Sequence, residues 1–367
     1  MSGVSEQLHP GVYVEEIPIG PHAIDGVTTS TAGFVGQAAS GPLTEAVKLT
    51  SFSDFESVFG GLQPQGELGY AVRLFFDNGG RVAWVVRAKS QHHAPDPLAA
   101  LDSTDALNLL CLPGWAEDEV LAAALAYCDR RRTFLVADPP STDPRSATGV
   151  AERLRDTGST NAAVYFPSVT VVDPVSGGPR SCAPSGAVAG LIARTDVDRG
   201  VWHAPAGVGA RLVGVTGVDA QVSEQDAESL AAAGVNTIRS VSNVGVVVWG
   251  SRTVAPDGDW KYVSVRRTAL FIEESLSRGL QWAVFEPNDE PLWVQVRQSV
   301  AGFLMGLWRS GGLQGQTADE AFFVKCNRDV MTQNDLDNGR LVALVGFAAV
   351  KAAEFLLLRI VVQASQA

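Results

Sequence analysis

The residues of this 367-residue chain that could do chemistry are five histidines, four cysteines and a few adjacent acids. His92 and His93 are neighbours whose side chains point apart. No Asp, Glu or Cys stands at metal-ligand spacing from them, so they read as part of a solvated linker. His203, in Trp202-His203-Ala204-Pro205, reads as a packed loop residue. Cys111, Cys128, Cys182 and Cys326 are too far apart for a C-x-x-C site and are expected to be buried free thiols of a reducing compartment. Glu273-Glu274 and Asp289-Glu290 are paired acids on helices. General acid–base work needs a cleft and a perturbed pKa, and without them such pairs are solvated or interface charges. Gly207-Val208-Gly209 begins like a dinucleotide fingerprint, but Leu212 replaces the third glycine and a Pro/Ala loop precedes it. Cys182-Ala183-Pro184-Ser185-Gly186 is half a nucleophile elbow, with Ala183 at the first glycine, and reads as a turn before a helix. There is no phosphate loop of the GxxxxGK[ST] type. No catalytic residue, cofactor-binding residue or metal ligand is assigned.

The elements that would position such groups come from periodicity and punctuation. Val12-Tyr13-Val14-Glu15-Glu16-Ile17 is a predicted strand bounded by Pro10-Gly11 and Pro18. It has no hairpin partner nearby, so it must join a sheet elsewhere, in its own chain or another. Residues 31–37 read as a core strand. Residues 53–56 read as a capping box opening a short helix that stops at Gly60-Gly61. Residues 67–78 read as a helix, 81–88 as a strand and 91–97 as a linker. From 98 to 180 strands and helices alternate, with strands at 107–112, 134–137, 162–166 and 169–172 and helices at 118–131 and 147–156, arguing for an α/β unit. A helix follows at 185–193, then an irregular stretch through 200–209. Later come a helix at 227–233, strands at 244–249 and 262–266, and helices at 268–282 and 288–309. The last strands are expected at 322–326, 341–346 and 355–363, the final two paired with each other. Trp249, Trp260, Trp282, Trp293 and Trp308 are expected mostly in the core.

Hydrophobic residues make up 46% and charged residues 19%, enough apolar material for a folded core and too little charge for a disordered chain. The net charge of −12 disfavours non-specific binding to nucleic acid or a membrane surface, since both are themselves negative. The first residues lack a basic and an apolar signal region, and no run of about 18 apolar residues exists. The expectation is a soluble chain made in the cytosol. Charge is uneven along it. Residues 1–47 hold Glu6, Glu15, Glu16, Asp25 and Glu45 and no Lys or Arg, a net charge of −5. Residues 341–367 hold Lys351, Arg359 and Glu354, a net charge of +1.

Several segments taken in order resemble contractile tail sheath proteins of phages, R-type bacteriocins and related injection systems. They are Pro10-Gly11-Val12-Tyr13-Val14-Glu15-Glu16; Thr31-Ala32-Gly33-Phe34-Val35-Gly36 with Ser40-Gly41-Pro42; FESVFGG (55–61); FFDNGG (75–80); 185–205 with GVWHAPA beginning at Gly200; 234–239 with VWGSRT (248–253); WKYVSVRR (260–267); FEPN (285–288) with Leu292-Trp293; and 339–360. The resemblance covers nearly all of the chain outside 98–180. The sequence departs at 347–353, Phe347-Ala348-Ala349-Val350-Lys351-Ala352-Ala353, where such tails usually carry prolines before the final strand.

The resemblance implies a structural motor subunit that is not an enzyme and uses no cofactor. Copies would stack as six-fold rings around an inner tube protein, with baseplate and terminator or cap proteins as further partners, assembled in the bacterial cytoplasm within a phage tail or tail-like particle. Neither nucleic acid nor membrane insertion is expected. The implied fold class is an α+β inner domain formed by both termini with an inserted α/β outer domain and extended terminal β-arms. The expected divisions are an N-terminal arm at 1–25, the first part of the outer domain at 26–97, its inserted α/β region at 98–205, the inner, tube-facing domain at 206–340, and a C-terminal hairpin and arm at 341–367. The inter-subunit arms would use Val12, Tyr13, Val14, Glu15, Glu16 and Ile17 at one end and Phe355, Leu357, Arg359 and Val361 at the other. Asp319, Glu320, Lys325 and Arg328 are the tube-facing candidates. Two other classes stay open: a non-contractile shell or baseplate component, and an α/β enzyme using 98–200.

Overall fold

The computed structural model describes residues 22–90, 95–255 and 258–351. The predicted arm strands, Val12 to Ile17 and Phe355 to Val361, and the pair His92 and His93 lie outside the described residues.

The chain opens with β1 (Thr31–Gly36), β2 (Ala46–Leu49), α1 (Phe52–Phe59), α2 (Leu68–Asp77) and β3 (Val82–Arg87). It continues through α3 (Pro95–Ala100), β4 (Leu109–Cys111), α4 (Asp118–Arg131), β5 (Phe134–Ala137), α5 (Pro144–Asp156), β6 (Ala162–Phe166), β7 (Val169–Val172), β8 (Pro179–Cys182) and α6 (Ser185–Arg199). Then come β9 (Val215–Val218), α7 (Glu224–Ala232), β10 (Val235–Val241), β11 (Gly245–Val248), α8 (Val263–Gly279), α9 (Glu290–Arg309), α10 (Ala318–Ala321), β12 (Phe322–Lys325), α11 (Gln333–Asp337) and β13 (Leu344–Phe347).

Eight strands form one sheet in the order β11-β10-β6-β5-β4-β1-β3-β2. The inner strands, from β10 across to β3, are all parallel, and the edges β11 and β2 are antiparallel. Central parallel strands are buried on both faces, which is why TAGFVG, FLVA and AAVYF are continuously apolar or small. One face packs under α2, α6 and the start of α8, the other under α3, α4, α5 and α7. Strands β10 and β11, from the 206–340 segment, complete the sheet begun by 31–166. A three-stranded antiparallel sheet, β8-β7-β9, extends the first face, and β12 and β13 form a separate antiparallel pair.

A third core gathers Ile24 with Ile272 of α8, the buried stripe of α9 (Leu292, Trp293, Val296, Val300, Leu304, Leu307) and the inner face of β12 and β13. Helix α8 belongs to two cores. Val263 and Leu270 sit in the sheet's core, and Ile272 sits in the third.

Some expectations change. The capping box of α1 is Ser51 with Asp54, two residues before the predicted one. The Asp54 carboxylate accepts from the backbone N–H groups of Ser51 and Thr50, and Ser51 Oγ accepts from Asp54 N. Residues 95–97 of the predicted linker are the start of α3. Residues 263–266, within the predicted strand at 262–266, are the first turn of α8. The β-branched and aromatic residues there suggest a strand, but as a helix the segment buries Val263 and Leu270 on one side and Val265, Thr268 and Ile272 on the other. Strand β13 pairs with β12, Phe322 opposite Phe347 and Lys325 opposite Leu344, and its predicted partner at 355–363 lies outside the described residues. Trp293 is buried, while Trp260, Trp282 and Trp308 are half-buried and Trp249 is 43% exposed.

Candidate assembly surfaces

The groups with chemical potential are built into packing. An open α/β sheet binds ligands at the carboxyl ends of its strands, where the strand order reverses. That reversal lies between β1 and β4, and side chains fill it. Asp138, just after β5, accepts from Ser185 Oγ (2.6 Å), Ser185 N (2.8 Å) and Gly114 N (3.3 Å). Burial nevertheless lifts its carboxyl to about 7, because those hydrogen bonds only partly offset the cost of a charge in an apolar surrounding. Glu67 closes the same end by accepting from Ala183 N at 3.1 Å and pairing with Arg180 at 3.1 Å. Arg180 also stacks over the Tyr70 ring, 4.0 Å from its centroid. Ser185 and Gly186 open α6, and a methyl group at Gly186 would collide with the backbone of Ala71 in α2. The half-elbow is therefore a helix–helix contact, and burial pushes the Cys182 thiol up to about 12.

The other motifs resolve similarly. Gly207 donates to Val248 O (2.8 Å) and Leu212 donates to Val246 O (2.9 Å), so the 207–212 loop runs along the outer edge of β11. Asp289 is the N-cap of α9, accepting from Leu292 N at 3.2 Å. Glu273 and Glu274 lie in an ion-pair group with Arg132, Arg266 and Arg278. Among the described residues, no group of three or more His, Cys, Asp or Glu could hold a metal ion, and no helix is long and apolar enough to cross a membrane.

That ion-pair group flanks a cleft of about 530 Å³ between the amino ends of β1 and β4, the end of α4 and the outer face of α8. It lies opposite the ligand-binding end of the sheet. Its guanidinium groups are engaged: Arg130 with Asp102, Arg131 with Thr104 O, Arg132 and Arg278 with Glu274, and Arg267 with Asp196. The cleft is a seam of balanced charge where the sheet's body meets the third core.

The tube-facing candidates all fall on the surface beside the third core, and all four are exposed. They form two groups. Asp319 and Glu320 lie on α10 before β12, with Glu320 accepting from Gln316 N at 2.8 Å. Lys325 ends β12, its ammonium 5.8 Å from the Phe323 ring centroid, and Arg328 lies over Trp293 at 5.7 Å. At about 3.3 Å per residue, the four-residue strand holds the acids and the cations roughly 13 Å apart.

Exposed apolar side chains mark further surface that the sequence reading missed. Phe285 is fully exposed, at 102% of the reference area, and its backbone is left-handed with φ of 73°. Val284 beside it is 60% exposed. On the outer face of the β12–β13 pair, Phe323 and Leu344 are each 48% exposed. An aromatic residue two positions before a proline was the available signal, but Phe285-Glu286-Pro287-Asn288 reads equally well as an ordinary turn.

Comparison with known proteins bears on this arrangement. The family model for the phage tail sheath protein central domain matches residues 91–254, and that for the phage tail sheath C-terminal domain matches residues 255–363. A putative prophage major tail sheath protein of Pseudomonas aeruginosa is 24% identical over 265 residues, covering 70% of this chain. The match spans 66%, just under two thirds, of that relative's length. A chain of the anti-feeding prophage baseplate, solved with 6-fold symmetry, superposes with a TM-score of 0.80 at 33% identity over 97% of this chain and 99% of that one. A chain of the PVC sheath complex of an extracellular contractile injection system, in its contracted state, superposes with a TM-score of 0.83 at 30% identity over 98% of each.

Proposed function

The chain belongs to the phage tail sheath protein family, and from that membership we propose that it is the repeating subunit of a contractile sheath. Copies stack as six-fold rings around an inner tube, within a phage tail or tail-like particle assembled in the bacterial cytoplasm. A baseplate meets one end and a terminator or cap the other. Contraction drives the tube through a target envelope. The role is structural rather than enzymatic. The observation that carries this reading is the end-to-end match to a contracted injection-system sheath, 98% of each chain at a TM-score of 0.83.

The third core supports an inner α+β domain that draws on both ends of the chain. Ile24 lies against Gly279 in the same core as Ile272 and Val300, Val27 N donates to Ser275 Oγ at 3.1 Å, and His22 stacks on Trp282 with centroids 4.1 Å apart. The eight-stranded sheet with its helices is the outer domain. Because β10 and β11 are in that sheet, the inner domain is best begun after Val248 instead of at 206. Arms within 1–25 and within the hairpin-and-arm segment 341–367 reach neighbouring copies and add strands there, the first through Val12 to Ile17 and the second through Phe355, Leu357, Arg359 and Val361, while Ile24 and β13 stay with their own subunit. Each added backbone hydrogen bond contributes only about 0.5–1.5 kcal/mol, so the arms act as tethers of many weak bonds. Asp319, Glu320, Lys325 and Arg328 hold the tube through screened, breakable pairs. Contraction needs no nucleotide if the contracted lattice buries more surface: about 400 Å² of extra apolar burial per subunit yields about 10 kcal/mol.

Negative-stain microscopy of the protein expressed alone tests the reading. Long tubes support it. Rings without tubes would favour a baseplate component, a second reading that the match to a baseplate chain keeps in view. Monomers under all assembly conditions would sink both. Removing residues 1–20 should leave a folded monomer that forms no sheath, and tubes from that truncation would refute the arm mechanism.

A further inference from the structure

We propose that the cleft between the end of α4 and the outer face of α8 binds a small polyvalent oxyanion, a diphosphate or a dicarboxylate. The site lies within one subunit and does not depend on the sheath reading.

Four guanidinium groups stand at this cleft. Arg130 and Arg131 close α4, Arg132 is its C-cap, and Arg278 lies in the last turn of α8. Over the whole seam the charges nearly cancel, but at the lining they do not. Asp102, Asp196 and Glu273 complete the balance from outside the lining, and among the described residues Asp105 and Glu274 are the carboxylates within it. With Arg267 neutralised by Asp196, four cations face two anions. In a chain of net charge −12 this is a local positive mouth, and a concave wall focuses such a field.

The existing pairs show what these groups recognise. Glu274 is gripped by two arginines, Oε2 by Arg132 Nη1 at 3.0 Å and Oε1 by Arg278 Nε at 2.6 Å. Asp102 is shared in the same way, its Oδ1 2.9 Å from Arg130 Nη2 and 4.0 Å from Arg131 Nε. Each carboxylate thus answers two cations, and donors are left over. Among the described residues, Arg278 makes no hydrogen bond through either Nη, Arg130 bonds through Nη2 alone and Arg132 through Nη1 alone. A guanidinium fork presents parallel N–H groups that match the oxygens of a phosphate or carboxylate.

Helix capping does not account for the whole set. Cations collect at a helix carboxyl end because its free carbonyls are negative, which covers Arg130 and Arg131. Arg132 instead holds a left-handed backbone, φ 53°, at a position glycine usually fills. From there its side chain crosses to α8, so at Glu274 the two walls come within one oxyanion of each other. The cleft's volume of about 530 Å³ lies within the range of small-ligand pockets, about 300–1,000 Å³, which leaves room for a further anion. Val27, Leu107 and Phe271 also line it, and apolar walls lower the local dielectric and strengthen the attraction.

Isothermal titration calorimetry of the full-length chain with sodium pyrophosphate at fixed ionic strength tests this. One saturable site per chain is expected. Sodium malonate should compete for it, and failure to compete strikes carboxylates from the class. Arg278→Gln and Arg130→Gln, both at exposed positions, should each weaken pyrophosphate about tenfold or more, the cost of one charge-assisted hydrogen bond. Arg145→Gln removes the same charge from an exposed position on α5 and should bind as the parent does. No saturable heat beyond that of sodium chloride at equal ionic strength overturns the site. So does equal weakening by all three substitutions, which would mean diffuse attraction to surface charge. If Arg278→Gln loses its cooperative melt, Arg278→Lys replaces it. That variant keeps the charge and loses the fork, and parent affinity there overturns the recognition.

Discussion

Arg267 and Asp196 form a two-pronged ion pair, Nη1 to Oδ1 at 2.8 Å and Nη2 to Oδ2 at 2.6 Å, with side chains only 4% and 2% exposed. Arg267 Nη2 also donates to Thr29 O at 2.8 Å. One guanidinium thus joins α8, α6 and the segment leading into β1. Removing one partner strands a buried charge. Arg267→Met or Asp196→Asn should cost about 3–5 kcal/mol in denaturant unfolding. The double replacement Arg267→Met with Asp196→Leu should cost clearly less than the sum of the two single changes, because neither charge is then left alone.

Helices α2 and α6 touch backbone to backbone at Gly186. A methyl group there meets the Ala71 main chain, which cannot swing aside as a flexible side chain would. Gly186→Ala should destabilise by about 1–3 kcal/mol despite the better helix propensity of alanine. A rise in thermal stability would mean that the helices can part.

Asp138 ties the end of β5 to the start of α6, and burial raises its carboxyl to about 7 from an ordinary 3.8. A raised folded-state value means the folded chain holds the proton more tightly than the unfolded chain. Its contribution to stability is complete below about pH 4 and is lost as pH rises toward 7. Asp138→Asn, which cannot ionise, should flatten the dependence of melting temperature on pH over that window. A variant with the parent's slope would assign the pH dependence to other groups.

Phe285 holds a left-handed backbone while its ring is fully in solvent. Among the described residues, no hydrogen bond or packing contact of the Phe285 ring repays that arrangement. Phe285→Gly should leave the isolated subunit as stable or raise its melting temperature slightly, since glycine adopts φ of 73° without strain. The same substitution should reduce sheath yield if a neighbour covers the ring, and sedimentation of assembled material measures that.

The middle of the chain was the most legible part. The helix at 118–131 and the strands at 134–137 and 162–166 are found where expected. Fully buried strands read as unbroken apolar runs, and Asp-Pro or Pro-Gly pairs mark their ends. Strands β2, β8 and β10 escaped notice for the opposite reason. AVKL and PRSC lie at sheet edges and are only four residues long, and VNTIRSV mixes polar groups whose pairing depends on partners far away. Asn236, for example, is buried because its amide donates to Arg252 O at 2.7 Å. Of the surface candidates, Asp319 to Arg328 were grouped by sequence proximity. A strand separates their charges, and the exposed Phe323 between them became visible only once alternation along β12 was set against β13.

Because α8 is rooted in the sheet's core through Val263 near its start and in the third core through Leu276 near its end, its 17 residues form a rod of about 25 Å that belongs to neither part alone. A rod clamped at both ends cannot bend without breaking its own ladder of hydrogen bonds, so a push applied to one body arrives at the other as torque.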